Sequence, residues 1–444
     1  MERQGQARQV AARTLVAFAI AALGGIALHG TAHADRKSSD PNHLVINFAG
    51  DVAWPNGWYG EKIVDKAQHK LFRHVQPILD SADLNFANIE CPLTKVKPTI
   101  KKRYPIWCKP KRANYFLKAG FNLISLANNH SIDAGQKGID ETLAVMERAK
   151  RTRKKLWWAG MARRGGDARK VTRVRVPGKK TPISFFATAY SGWGKSVAGL
   201  TSKSLPDRIR KAAATDLVIV SVHSGPEYYH APFRDTTRKY RQLIDAGATL
   251  VVAHHPHVVQ GVERYKKGFI FYSLGNFSFA SRTTRHLKRR ARIYSMIGRV
   301  TFRGRSLRRI ELIPLYANNR NKWVLAGKTI RPRFSVPQLL SGKFAQFALD
   351  EFADWARKVP GTRKRPTKCV RIGDRAYVDL GRPFSKAVRQ RLIRQQRIEY
   401  RAVGAEGPRE ATRAERNWKN RGGTPWSAKK TKKRKRRKKR RRRK

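Results

Sequence analysis

Between residues 44 and 274 the chain alternates short apolar runs with amphipathic stretches, and this alternation narrows the fold more than any other feature. Strands are expected at 44–49, 84–89, 122–126, 183–188, 217–222, 249–253 and 269–274, with helices at 61–79, 136–148 and 233–246 between them. Strands that alternate with helices build βαβ units and a largely parallel sheet. The run Leu217-Val-Ile-Val-Ser-Val222 is nearly free of polar residues, as expected of a strand buried on both faces. Two more runs, 299–302 and 309–314, are expected to complete a second sheet layer. The α/β domain then covers 44–316, after a polar linker at 35–43. Residues 317–400 read as an extension packing on that domain, and 401–444 as a disordered Lys/Arg-rich tail, because blocks of like charge repel and stay unfolded.

Charge excludes an ordinary near-neutral cytosolic enzyme. The chain has 97 Lys and Arg against 30 Asp and Glu, a formal +67. Fifteen of the last sixteen residues are basic, yet +52 remains when they are set aside. Such a balance implies an anionic partner: nucleic acid, an acidic envelope polymer or an anionic membrane surface reached by the tail. The tail has no interleaved aromatic residues to stack on bases, which argues against sequence-specific nucleic-acid recognition.

Arg3, Arg8 and Arg13 precede an apolar run at 15–28, and Thr31-Ala-His-Ala34 follows. This is the pattern of a signal peptide at 1–34, cut after Ala34, so the mature chain is expected in the periplasm or outside the cell. Fourteen apolar residues are few for a span that needs about 20. An uncleaved segment anchoring the chain in the membrane is the alternative. Of three cysteines, Cys91 and Cys108 are the nearest pair for oxidation in an exported chain. Cys369 makes the count odd and no zinc-ribbon spacing appears, so unpaired or incidentally paired thiols are expected.

Polar residues collect where the expected strands end, which is where open α/β sheets bind ligands. Gly50-Asp51 follows the first strand and Asn88-Ile-Glu90 closes the second. Asn128-Asn-His-Ser-Ile-Asp133 follows the third, and His223-Ser-Gly-Pro-Glu227 comes after a later one. His254-His-Pro-His257 is the most informative cluster, since three imidazoles within four residues are costly without a metal or proton-transfer chemistry to serve. Together these clusters offer a mixed O/N donor set. It suits Zn, Mn or Fe better than Ca or Mg, which prefer oxygen alone. Metal-assisted hydrolysis of a phosphoester or an amide follows as a chemical expectation.

The same clusters, in this order and with Tyr272-Ser-Leu-Gly-Asn-Phe277 after them, resemble the capsule-synthesis CapA family, associated with poly-γ-glutamate capsules. That family is similar to calcineurin-like metallophosphoesterases. The resemblance covers about residues 44–316 and implies a four-layer α/β/β/α sandwich. It implies Asp51, Glu90, Asn129, His223, His255 and His257 as ligands of one or two divalent ions, and His130 as proton donor to a leaving group. Asn88, Asp133, Glu227 and Asn276 are expected to orient these groups. Ala53 departs from the pattern, standing where the phosphoesterases carry a histidine. The function implied is assembly or export of an anionic capsule polymer, poly-γ-glutamate or similar, by metal-assisted hydrolysis or transfer. The alternative is a polyanion-binding scaffold without turnover on the same fold.

Overall fold

The structure, a computed structural model, describes residues 38–57, 64–65, 68, 71–280, 294–316, 323–325, 328–330, 336–362 and 366–403. The expected signal segment and nearly all of the expected tail lie outside these residues. Among them no helix is long and apolar enough to cross a membrane.

In chain order the first strands are β1 (His43–Ala53), β2 (Leu84–Ile89), β3 (Leu123–Ser125), β4 (Trp157–Ala159), β5 (Thr172–Val174) and β6 (Ile183–Ala189). Next come β7 (Leu217–His223), β8 (Leu250–His254), β9 (Val262–Tyr265), β10 (Gly268–Phe271), β11 (Asn276–Phe279) and β12 (Tyr294–Arg303). The last are β13 (Ser306–Tyr316), β14 (Trp323–Leu325), β15 (Lys328–Ile330), β16 (Gln338–Leu339), β17 (Cys369–Ile372) and β18 (Arg375–Val378). The helices are α1 (Gln76–Asp80), α2 (Ala113–Lys118), α3 (Gly135–Thr152), α4 (Leu205–Ala213), α5 (Arg234–Asp245), α6 (Gly342–Arg357) and α7 (Lys386–Ala402).

The described chain is mixed α/β, and its strands divide between two large sheets, the two β layers that the resemblance implied. The larger runs β17-β18-β13-β12-β1-β2-β3-β4, with β11 also on β1 and β16 on β13. The smaller runs β5-β6-β7-β8-β10-β9, and β14 and β15 pair apart from both. The runs at 299–302 and 309–314 do form strands, but β12 pairs antiparallel with β1 and so extends the first sheet. That pairing satisfies the β1 edge opposite β2, an edge that otherwise leaves a row of bare backbone groups. Of the helix expected at 61–79, residues 61–63, 66–67 and 69–70 lie outside the described residues. Among the rest, 64–65 are helical, 71–75 are bends and turns, and α1 begins only at Gln76 with Pro77 in its first turn, where the missing N–H costs least.

Alternation along β1 sorts its side chains between two environments. Phe48 points to the second sheet, its ring 6.3 Å from that of Phe271, while Phe86 of β2 lies 6.0 Å from Phe185. The inner faces of the two sheets therefore share one core, where truncating such a Phe to Ala costs about 3–5 kcal/mol. Ile209, Tyr240 and Leu243 of α4 and α5 cover the outer face of the smaller sheet. Asn47, one residue before Phe48, points the other way, its amide donating to Ile78 O and to Asn85 Oδ1 at 2.8 Å each. There, beneath α1 and α7, a polar layer forms around Arg299, which donates to Asn47 Oδ1 (3.0 Å) and Glu399 Oε1 (3.3 Å).

Candidate metal centre

One irregularity in β1 sets the first ligand in place. On one side its neighbour changes from β12, up to Phe48, to β11, from Asp51 onward. At the switch the Gly275 carbonyl comes so close that a Cβ on Gly50 would lie 1.8 Å from its oxygen, so only glycine fits. The Asp51 amide donates to that same carbonyl at 3.0 Å. Register then brings Asn88 of β2 and Asn276 of β11 to either side of Asp51.

In the smaller sheet, β7 and β8 end side by side with His223 opposite His254. Beyond β8 the backbone turns sharply, and both His255 (φ 95°) and His257 (φ 58°) take left-handed conformations. Such conformations cost non-glycine residues roughly 1–3 kcal/mol and persist only where the surroundings impose them. The turn sets the His255 ring against His223 and the His257 ring near Asp51 and Glu90. The turn after β3 is fixed by Asn128, whose amide donates to Ile89 O (2.8 Å) and whose Oδ1 accepts from the His130 amide (3.1 Å).

The sites expected from sequence meet in one pocket, drawn from both sheets. Asn88 Nδ2 donates to Asp51 Oδ1 (2.8 Å) and lies 3.1 Å from His223 Nδ1. His223 Nε2 is 2.8 Å from Asn129 Oδ1 and 3.0 Å from His255 Nδ1. Glu90 Oε1 stands 3.5 Å from His223 Nε2 and 3.9 Å from both His257 Nε2 and His130 Nε2. His257 Nδ1 is 2.9 Å from Asn276 Oδ1 and 3.9 Å from Asp51 Oδ2. Ligands about 2.1 Å from one cation lie roughly 3–4 Å from each other, and these spacings match. Two donor triads result, Glu90–His223–His255 and Asp51–Glu90–His257, with Glu90 in both. Glu227 acts on Glu90 and His257 through its charge.

The residues fit a cation on a further observation. Both Glu90 oxygens are buried and have no hydrogen-bond partner, and neither has Asn88 Oδ1. A buried carboxylate without donors is costly unless a positive charge compensates it. The titration behaviour of the bare pocket agrees. Burial first, then the charge of Glu90, raises the Asp51 carboxyl to about 6. Burial also raises Glu90, and holds His223 and His255 well below the usual imidazole range. For His257 burial acts downward, but Glu90, Asp51 and Glu227 outweigh it and raise the ring.

Three neighbours escaped the sequence reading of roles. His254 is fully buried against the Phe86 ring (5.3 Å) with Nδ1 3.4 Å from Asp51 Oδ1, and burial lowers it to about 4. Its place in the histidine run was the only signal. Tyr228 lies 5.8 Å from the His257 ring, next to Glu227. Lys102 reaches the pocket from a lysine-rich stretch where nothing sets it apart from Lys95, Lys97 and Lys101. Cys91 and Cys108 form a disulfide, and Cys369 is free.

The family described as bacterial capsule synthesis protein PGA_cap matches residues 45–281. The chain is 31% identical over 266 residues to the capsule biosynthesis protein CapA of Bacillus anthracis, covering 56% of this chain and 63% of that protein. It is also 31% identical over 262 residues to the PGA biosynthesis protein CapA of Bacillus subtilis, covering 56% of this chain and 67% of that one. A solved hypothetical protein from Thermus thermophilus aligns over 61% of this chain and 98% of its own at 18% identity, with a TM-score of 0.40. The matched span holds every donor from Asp51 to Asn276, and this chain belongs to the bacterial capsule synthesis protein family PGA_cap.

Proposed function

We propose that this chain is an exported, metal-binding protein that acts in assembling or exporting an anionic capsule polymer, poly-γ-glutamate or similar, through metal-assisted hydrolysis or transfer. The observation that carries the reading is Glu90: buried, with neither oxygen hydrogen-bonded, and common to both donor triads. The names of the two Bacillus relatives support the polymer class. Facing sheets that bring their strand ends to one pocket support a calcineurin-like sandwich as the frame. Export rests on the signal-like segment at 1–34, which serves as a membrane anchor if it stays uncut. The formal +67 would gather a polyanion, and the tail would also meet anionic lipid.

Asp51, Glu90 and His257 would hold one cation, and Glu90, His223 and His255, with Asn129, a second. Zn, Mn and Fe suit these donors. Bound there, a divalent cation supplies Lewis-acid polarisation of an ester or amide and activates water near neutral pH. The chain's own side chains do the rest. Asn88 clamps Asp51 beside His223, and Asn276 fixes the His257 ring. Asp133 accepts from His130 Nδ1 at 2.6 Å, so Nε2 faces Glu90, and the doubly protonated ring can pass its Nε2 proton to a leaving group while keeping the one on Nδ1.

Ala53, buried and apolar where the phosphoesterases carry histidine, favours a second reading, a polyanion-binding scaffold without turnover. Both are tested on the full chain loaded with Mn, Zn or Fe(II) and offered bis(p-nitrophenyl) phosphate and γ-glutamyl p-nitroanilide. The hydrolytic reading expects turnover that falls about 100-fold or more in His130→Ala. No turnover with any metal contradicts it. Salt-dependent poly-γ-glutamate binding that survives His130→Ala and His257→Ala together then establishes the scaffold.

A further inference from the structure

The segment between the bonded cysteines reaches into the pocket. Cys91 follows Glu90 directly, and its disulfide to Cys108 closes a loop over residues 92–107. Hydrogen bonds of 2.9 Å from the Thr94 amide to Cys108 O, and from the Cys108 amide to Pro92 O, tighten its neck. Further along, the Thr99 amide donates to Asp133 O (2.9 Å) and the Ile106 amide to Asp133 Oδ2 (2.7 Å). The loop therefore lies along the turn that carries Asn129, His130 and Asp133.

Lys102 points back from this loop into that turn. Its ammonium donates to Asn129 O at 2.8 Å and to Asp133 Oδ1 at 3.2 Å. It also stands 3.1 Å from His130 Nδ1. That third approach is not a hydrogen bond. Nδ1 already donates to the Asp133 carboxylate, which only accepts, and an ammonium has no acceptor to offer. Lys102 thus spans the backbone of one expected ligand and the carboxylate that orients the expected proton donor.

We propose that Lys102 is a positioning residue of this centre: by tying Asn129 O to the Asp133 carboxylate, it fixes the His130 ring with Nε2 turned toward Glu90. The proposal rests on the metal-centre reading and adds to it a loop from outside the strand ends. A lysine that is merely solvated would leave the ring unchanged when replaced.

The test compares full-length Lys102→Met and Lys102→Arg with the unaltered chain. Ring-nitrogen NMR of 15N-histidine-labelled protein, without added metal, reads the His130 Nδ1–H signal. That signal is expected to be sharp in the unaltered chain and in Lys102→Arg, and lost in Lys102→Met. With Mn, turnover of bis(p-nitrophenyl) phosphate by Lys102→Met is expected to fall about tenfold or more in kcat with KM unchanged, and Lys102→Arg to recover most of it. Should Lys102→Met fail to fold, Lys102→Gln is read in its place. An unaltered chain without turnover but with a Lys102-dependent ring signal sinks the hydrolytic reading and upholds the positioning role. Turnover with unchanged kcat in Lys102→Met overturns the positioning role, as does an unchanged ring signal in a chain without turnover.

Discussion

Beneath α7 and around Asp51 this molecule buries ionised side chains in two different ways. Under α7, carboxylates and guanidiniums alternate. Glu399 meets Arg299 (3.3 Å) and Arg375, and Glu311 meets Arg375 (3.1 Å), with Arg309 Nε 3.0 Å away though poorly aligned. Burial alone would push the Glu311 carboxyl up, but Arg309, Arg299 and Arg375 outweigh it and hold the carboxyl below its ordinary range. Around Asp51 the two carboxylates have only imidazoles as cationic partners, and among the described residues no Arg or Lys forms an ion pair with either. Asp51 and Glu90 are accordingly raised. The first region balances its buried charges within the chain, though Glu311 Oε1 and Arg375 Nε have no hydrogen-bond partner there. The second becomes complete when a cation joins it.

Breaking the paired region should cost the most stability. Arg375→Met takes from two buried carboxylates the guanidinium they share and should lower unfolding free energy by about 3–5 kcal/mol in urea titrations, with metal content unchanged. Glu90→Gln should do the reverse. It removes the donor common to both triads and should weaken metal affinity by more than about 100-fold in chelator competition. The metal-free variant should melt no lower than the unaltered protein, because a raised, uncompensated buried carboxylate has gone. An unchanged affinity in Glu90→Gln would erase the contrast.

Acidification sharpens it further. Metal must displace a proton from Asp51 once pH falls below about 6, so the metal-induced rise in Tm should shrink between pH 7 and pH 5. In the metal-free chain the sign reverses. A carboxyl raised on folding contributes stability that is fully present below its unfolded value, near 3.8, and lost as pH rises through about 6. His254, lowered to about 4, opposes this, its contribution being lost as pH falls toward that value. The smallest effect is expected from Asn276→Ala, which removes one hydrogen bond from the His257 ring and should cost about tenfold in metal affinity.

The sequence made the ligands legible because each closes an apolar run with a residue that does not belong in a core, although β1 itself continues past Asp51 to Ala53. Asp51, Glu90, His223 and the 254–257 run all announce themselves that way. Period and polarity also located β1, β2, β6, β7 and β8. The resemblance implied two β layers, but which strand joins which sheet was hidden, since a buried parallel strand reads the same in either. The pairing of β12 with β1 depends on which edge lies open, a property of the assembled sheet. Lys102 was hidden for a related reason, since only the closed 92–107 loop brings it to His130. The network under α7 left no local mark either, its members being scattered from Asn47 to Glu399.

The central claim is that a cation belongs between Asp51, Glu90 and the histidines. Anomalous diffraction from crystals of the full chain soaked in Mn or Zn tests it most directly. The expected result is one or two peaks within about 2.3 Å of a Glu90 oxygen, flanked by His257 or by His223 and His255. A map with no peak in that pocket, from crystals shown to have taken up the metal, would contradict the claim.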